Sequence, residues 1–179
     1  MTQPAGPDSA EWQLRWTIDA GDVILEPVTR ELARAVLDGG PGPREFEDGA
    51  LHDRIPNAMG FALRDIDSGA AAVLPTVWVV VRRSDGRIIG DIGTHGPPDR
   101  AGSVEIGYAL APSVRGQGVG TEAVAALVGR LSAVPGIRRI TAVTGADNTA
   151  SRRLLERLGF RLDGSLPGAG EVRYGLDLT

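Results

Sequence analysis

The sequence predicts an α+β fold: a mixed, mostly antiparallel central sheet with one parallel β-α-β crossover. Three observations predict it. Val77 to Arg83 and Arg87 to His95 are strand-like runs separated by the turn Ser84-Asp85-Gly86, which makes an antiparallel hairpin. Ser103 to Ala111 is a third alternating run, followed by a glycine-rich turn, a helical stretch and another strand over Ile137 to Thr144. A strand, helix and strand of that length make a right-handed parallel crossover. Phe160 with Leu162, then Val172, Tyr174, Leu176 and Leu178 in alternation, form two closing strands joined through Pro167-Gly168-Ala169-Gly170.

Taken in order, Met1 to Ala10 is polar and rich in Pro and Gly, and reads as a mobile tail rather than a signal peptide. Residues 11–179 then form a single domain, since 179 residues at 42% hydrophobic content suffice for one core. Trp12, Leu14, Trp16 and Ile18 alternate with polar residues, and Asp19-Ala20-Gly21-Asp22 supplies a turn before Val23-Ile24-Leu25, predicting an opening hairpin. Thr29 caps a helix through Leu37 that Gly39-Gly40-Pro41 stops. Phe46 to Ser68, interrupted at Pro56 and Gly60, predicts one or two short helices with mobile joints.

In the Ser103 strand, Val104, Ile106, Tyr108 and Leu110 share one face, and Glu105, Gly107 and Ala109 share the other. The second face is small apart from its carboxylate, so a helix or a ligand can approach the backbone there. Val119, Ala123, Val124, Leu127, Val128 and Leu131 recur at helical spacing after the glycine turn. Asn148 caps a further helix, with Leu154, Leu155 and Leu158 inward and Gly159 as its stop.

Composition removes several chemistries. All 19 basic residues are Arg, so there is no lysine for a Schiff base or a Walker-type phosphate loop. Cysteine is absent, which excludes disulfides, thiolate metal sites and a cysteine acyl-enzyme, and predicts a cytoplasmic protein. No metal site is expected. The net charge of -4 argues against a nucleic-acid partner, and the apolar stretch Ala70 to Val81 is too short to span a bilayer.

The candidate ligand site is the run Arg115-Gly116-Gln117-Gly118-Val119-Gly120-Thr121. Glycines at alternate positions let the backbone approach an anion, and the following helix contributes its unpaired first-turn amides and positive dipole end. The run therefore predicts a seat for a phosphate or pyrophosphate. A dinucleotide-binding turn would need glycine or alanine three positions after the second glycine, where Thr121 stands.

Val104 to Phe160 resembles the GNAT superfamily of acyl-CoA-dependent N-acyltransferases. Arg115-x-x-Gly118-x-Gly120 matches that family's pyrophosphate signature, and Asn148 to Phe160 looks like its second motif. Glu105-Ile106-Gly107-Tyr108 and the Asn-x-x-Ser form of the second motif are similar to the branch containing ribosomal-protein N-terminal acetyltransferases. The resemblance implies helices on both faces of the sheet and acetyl-CoA as co-substrate. It places the pyrophosphate at residues 115–121, the pantetheine arm along Ala109, Leu110 and Ala111, and Asn148 and Ser151 beside that arm.

By the same resemblance, a backbone N–H in that edge serves the oxyanion, Glu105 acts as base and Ser151 as acid for the leaving sulfur. Leu155 occupies the place where many family members carry an acidic tyrosine. Asp91 and His95 share a face of the neighbouring strand and offer a proton relay through water. Tyr108 and Tyr174 read as core or cavity wall, because both continue apolar alternations. His52, among Glu45, Glu47, Asp48 and Asp53, lies where the fold frames the acceptor, and an acidic lining there favours a cationic amine or peptide N-terminus.

The implied function is direct transfer of an acetyl group to a primary amine, either a small molecule or a protein N-terminus. A homodimer is compatible with it. The alternatives are a non-catalytic acyl-CoA-binding regulatory module and a nucleotide-binding protein using the same turn.

Overall fold

The computed structural model describes residues 6–40, 42–51 and 54–178. Eight strands form one sheet: β1 (Ile18–Ala20), β2 (Val23–Pro27), β3 (Val77–Arg82), β4 (Ile88–Thr94), β5 (Ser103–Leu110), β6 (Arg139–Gly145), β7 (Arg161–Leu166) and β8 (Glu171–Asp177). Their spatial order is β1-β2-β3-β4-β5-β6-β8-β7. Every neighbouring pair is antiparallel except β5 and β6, which are parallel as the crossover requires.

Among the described residues, five α-helices cover the two faces: α1 (Ala10–Trp16), α2 (Arg30–Asp38), α3 (Ile55–Ser68), α4 (Val119–Ser132) and α5 (Thr149–Arg157). Alternation along β3 sorts them. Trp78 and Val80 pack with Trp12 and Trp16 of α1, Val124 and Leu127 of α4 and Leu155 of α5, while Val77, Val79 and Val81 pack with Leu32 of α2 and Ile55 and Met59 of α3. Helices therefore lie on both faces, as expected for this fold.

The predicted caps are formed. Thr29 Oγ1 accepts from the Leu32 amide at 3.2 Å, Gly39 ends α2 in the left-handed region, and Asn148 Oδ1 accepts from the Ser151 amide at 3.1 Å. Two early elements differ from expectation. Residues 10–16 are helical: Ser9 caps them, and Trp12 and Trp16, four apart, share one helical face. The opening hairpin consequently keeps only Ile18–Ala20 as its first strand. Pro56 and Gly60 break nothing, because Pro56 sits in the first turn of α3, where its missing N–H costs no intrahelical bond.

Before α1, Asp8 pairs with Arg30 at 3.1 Å. Among the described residues, no helix is long and apolar enough to cross a membrane, and no cluster of His, Asp and Glu is suited to a metal ion.

One irregularity positions the site. Val80 pairs with Gly90 and Val81 with Ile88, so Ile89 is an extra residue and β4 changes phase. Downstream of it, Asp91 and Gly93 fall on the α2–α3 face, opposite Ala109 and Gly107 of β5.

Candidate active site

Two features meet at the carboxyl end of β5: a set of free backbone amides and a split in the sheet. After β5 the chain makes a 3-10 turn over Pro112–Val114 and enters residues 115–120. Gly116 and Gly118 have φ of +77° and +89°, a conformation that excludes ordinary side chains. Gly120 serves a different need: a Cβ there would stand 3.2 Å from Leu154 Cδ1 and 3.3 Å from Leu110 Cδ1, where α4 closes on α5 and β5.

The backbone N–H groups of residues 116–120 donate no hydrogen bond within the described residues. Five successive free amides at the start of a 14-residue helix form an anion seat, and the helix dipole adds positive potential. Thr121 differs, since its amide donates to Gly118 O at 2.8 Å. Arg115 Nε donates to Leu110 O at 3.0 Å and Gln117 Nε2 to Ser113 O at 2.8 Å, so both side chains brace the turn.

Strands β5 and β6 pair only from Ser103↔Arg139 to Ile106↔Ala142. Beyond that, β5 stays with β4 and β6 stays with β8, which leaves a gap between them. Glu105 O accepts from the His95 amide and the Ala111 amide donates to Ile89 O, each at 2.8 Å. Residues 105, 107, 109 and 111 thus turn their backbone groups to β4, and the alternate residues Tyr108 and Leu110 turn theirs into the gap. Of the expected ligand edge, Leu110 faces the opening, whereas the Ala111 amide is committed to Ile89.

Side chains flank the gap on both faces. On the α4–α5 face, Tyr108 Oη lies 2.7 Å from Ser151 Oγ, and Ser151 is held by the Asn148 cap. Burial pushes the Tyr108 phenol above its ordinary pKa, partly offset by the Ser151 hydrogen bond. On the opposite face Glu105 Oε1 lies 2.9 Å from His95 Nδ1. The His95 ring extends over Gly107, where a Cβ would stand 2.6 Å from Nε2. Gly107 is the first β5 residue past the last β6 pair, so the imidazole stands at the mouth of the gap.

Glu105, Ser151, Asn148 and residues 115–121 are thus brought together around one opening. Tyr108 was expected as core or wall; its ring continues the apolar alternation, but its hydroxyl belongs to the site. The phenolic tip on that alternation was the signal available. Tyr174 is fully buried, donates to Glu156 Oε1 at 2.6 Å and stays in the core, as does Leu155.

The acidic stretch before Pro56 is tied into the scaffold. Glu47 pairs with Arg82 at 2.7 Å and accepts from Ser113 Oγ at 3.0 Å, and Glu45 lies 3.7 Å from Arg87. His52 and Asp53 lie outside the described residues.

Residues 13–161 match the family described as the acetyltransferase (GNAT) domain. Over 86 residues the chain is 37% identical to the uncharacterized N-acetyltransferase YjdG of Bacillus subtilis, covering 48% of this chain and 51% of that protein. The chain thus spans about half the length of the curated relatives it matches. Among solved structures, ribosomal-protein-S5-alanine acetyltransferase from Vibrio fischeri superimposes with a TM-score of 0.71 at 15% identity, covering 90% of this chain and 96% of that one. RimJ of Mycobacterium smegmatis, solved in complex with CoA-disulfide, gives a TM-score of 0.59 at 25% identity, covering 89% and 84%.

Proposed function

Since the chain belongs to the GNAT acetyltransferase family, we propose that it moves an acetyl group from acetyl-CoA to a primary amine by direct attack in a ternary complex. The observation that carries this reading is the row of five free amides at residues 116–120, adjoining the gap between β5 and β6. The row suits the pyrophosphate of a CoA, with Arg115, Gln117, Val119 and Thr121 shaping its walls. The gap suits a slender pantetheine arm, paired with the backbone of Tyr108 and Leu110 along the Ala109 to Ala111 edge and passing Asn148.

The thioester then reaches the base of the gap between two differently equipped faces. The amine nitrogen attacks the carbonyl carbon, the C–N bond forms, the C–S bond breaks, and CoA leaves. A backbone N–H in the β5 edge faces the carbonyl oxygen and stabilises its developing charge without reorganising. The nitrogen loses its proton on the Glu105 side, while Ser151, with Tyr108 behind it, hydrogen-bonds the departing sulfur. No covalent enzyme intermediate is needed. The acidic groups Asp91 and Glu105 on the acceptor side favour a cationic acceptor, such as a peptide N-terminus or a small-molecule amine.

A thiol-release assay with acetyl-CoA and a panel of amines and peptides tests this reading. Acceptor-dependent release is the expected result. Tight acetyl-CoA binding with no release on any acceptor would leave a non-catalytic acyl-CoA-binding module, and preferential binding of ATP or NAD would leave a nucleotide-binding protein.

A further inference from the structure

We propose that the group accepting the proton from the attacking amine is His95 Nε2, and that Glu105 is its positioning residue. This rests on the acetyl-transfer reading above and replaces a carboxylate base by an imidazole.

Geometry separates the two side chains. Glu105 lies within the paired part of β5, opposite Thr141 of β6, and its side chain is 31% exposed. His95 lies just past the end of β4, yet its ring reaches forward over Gly107 to the mouth of the gap and is 64% exposed. The imidazole therefore stands between the carboxylate and the opening. It is held there twice: its backbone amide donates to Glu105 O at 2.8 Å, and its Nδ1 lies 2.9 Å from Glu105 Oε1.

The donor and acceptor roles follow from chemistry. An ionised carboxylate can only accept, so Nδ1 carries the hydrogen and Nε2, the ring atom nearest Gly107, keeps its lone pair. When Nε2 takes a proton from the attacking nitrogen, the imidazolium forms against the Glu105 carboxylate, and its exposed edge can return the proton to water. As a general base at neutral pH an imidazole is better suited by its chemistry than a carboxylate.

Asp91 lies on the same face of β4, opposite Ala109, one strand repeat further from His95 than Gly93. Asp99, in the following loop, accepts from the Ala101 and Ser103 amides, and Arg139 of β6 is paired with Asp163 and Asp177. Glu105, 2.9 Å from Nδ1, is a charged partner in contact with the ring. The small-residue face noted in the sequence has a purpose on this account: Gly107 is the floor on which the ring lies.

Steady-state thiol release across pH, with acetyl-CoA affinity measured in parallel by calorimetry, tests the proposal. His95→Gln is expected to lower kcat about 100-fold, within the range for loss of a general base. It should leave acetyl-CoA affinity unchanged and flatten the acid side of the kcat profile. Gly107→Ala should act similarly by displacing the ring. Glu105→Gln, which removes the carboxylate that holds the ring, should cost less than His95→Gln. Nitrogen NMR of the unliganded protein should show His95 as the Nδ1–H tautomer.

An unchanged kcat and pH profile in His95→Gln, with an inactive Glu105→Gln, would overturn the proposal in favour of the carboxylate. An Nε2–H tautomer would do the same. Wild-type protein that binds acetyl-CoA but releases no thiol with any amine defeats the acetyl-transfer reading itself, a failure separate from that of the variants.

Discussion

Tyr108 shows how a single polar tip can belong to a site while its ring belongs to a core. Its hydroxyl, whose pKa burial raises further, lies 2.7 Å from Ser151 Oγ, and the pair stands on the α4–α5 face of the gap. Tyr108→Phe and Ser151→Ala should each lower kcat about tenfold, the scale of one lost hydrogen bond. The double variant should cost little more than either, because the two hydroxyls act through one interaction. Presteady-state thiol release, with acetyl-CoA affinity as control, measures both. At the other end of the ligand seat, Gly118 has φ of +89°, and alanine there is strained by about 1–2 kcal/mol. Gly118→Ala should weaken acetyl-CoA binding about tenfold by calorimetry while leaving the fold intact.

At the scale of elements, the early helices show where a residue pattern admits two periods. Trp12 and Trp16 fit a strand at spacing two and a helix at spacing four, and the tertiary structure chooses the helix. There Trp12 Nε1 donates to Ala71 O at 2.9 Å, and Trp16 O accepts from Trp78 Nε1 at 2.8 Å. Leu14, apolar but 79% exposed, is the residue that made the run look like alternation. The Ser9 cap was the available signal against it. Trp12→Ala, which removes a nearly fully buried side chain, should destabilise the protein by about 3–5 kcal/mol in urea unfolding. By contrast, α4 and α5 were legible throughout, because a glycine or asparagine start and a strong inward apolar stripe left one period to choose.

At the scale of the whole molecule, Glu47 links three separate pieces: its own loop, Arg82 at the end of β3 and Ser113 before the glycine turn. The Arg82 guanidinium, and then the Ser113 hydroxyl, hold its carboxyl below the ordinary carboxylate range. A lowered folded-state pKa contributes stability above the unfolded value, about 4.3, and that contribution is lost as pH falls through the folded value. Urea midpoints should therefore drop as pH is lowered below about 4.3, and Glu47→Gln should be less stable at neutral pH and flatter across the acid range. The acidic stretch, expected to frame an acceptor, carries this tie between its own loop and the segment before the glycine turn.

The sequence by itself determined the sheet from β3 onward, the crossover, the caps of α2 and α5, and the positive-φ glycine turn before α4. Each depends on local chemistry: glycine where φ is positive, side-chain oxygens at helix starts, apolar residues at one period. Only the tertiary structure decided which side chains meet across strands. The extra residue at Ile89 brings β4 into phase with β5, and backbone pairing then sets His95 beside Glu105. Tyr108 finds Ser151 only because α5 closes on the same face of β5. Those contacts join residues ten and forty-three positions apart, and their distances depend on register and packing rather than on the identity of near neighbours.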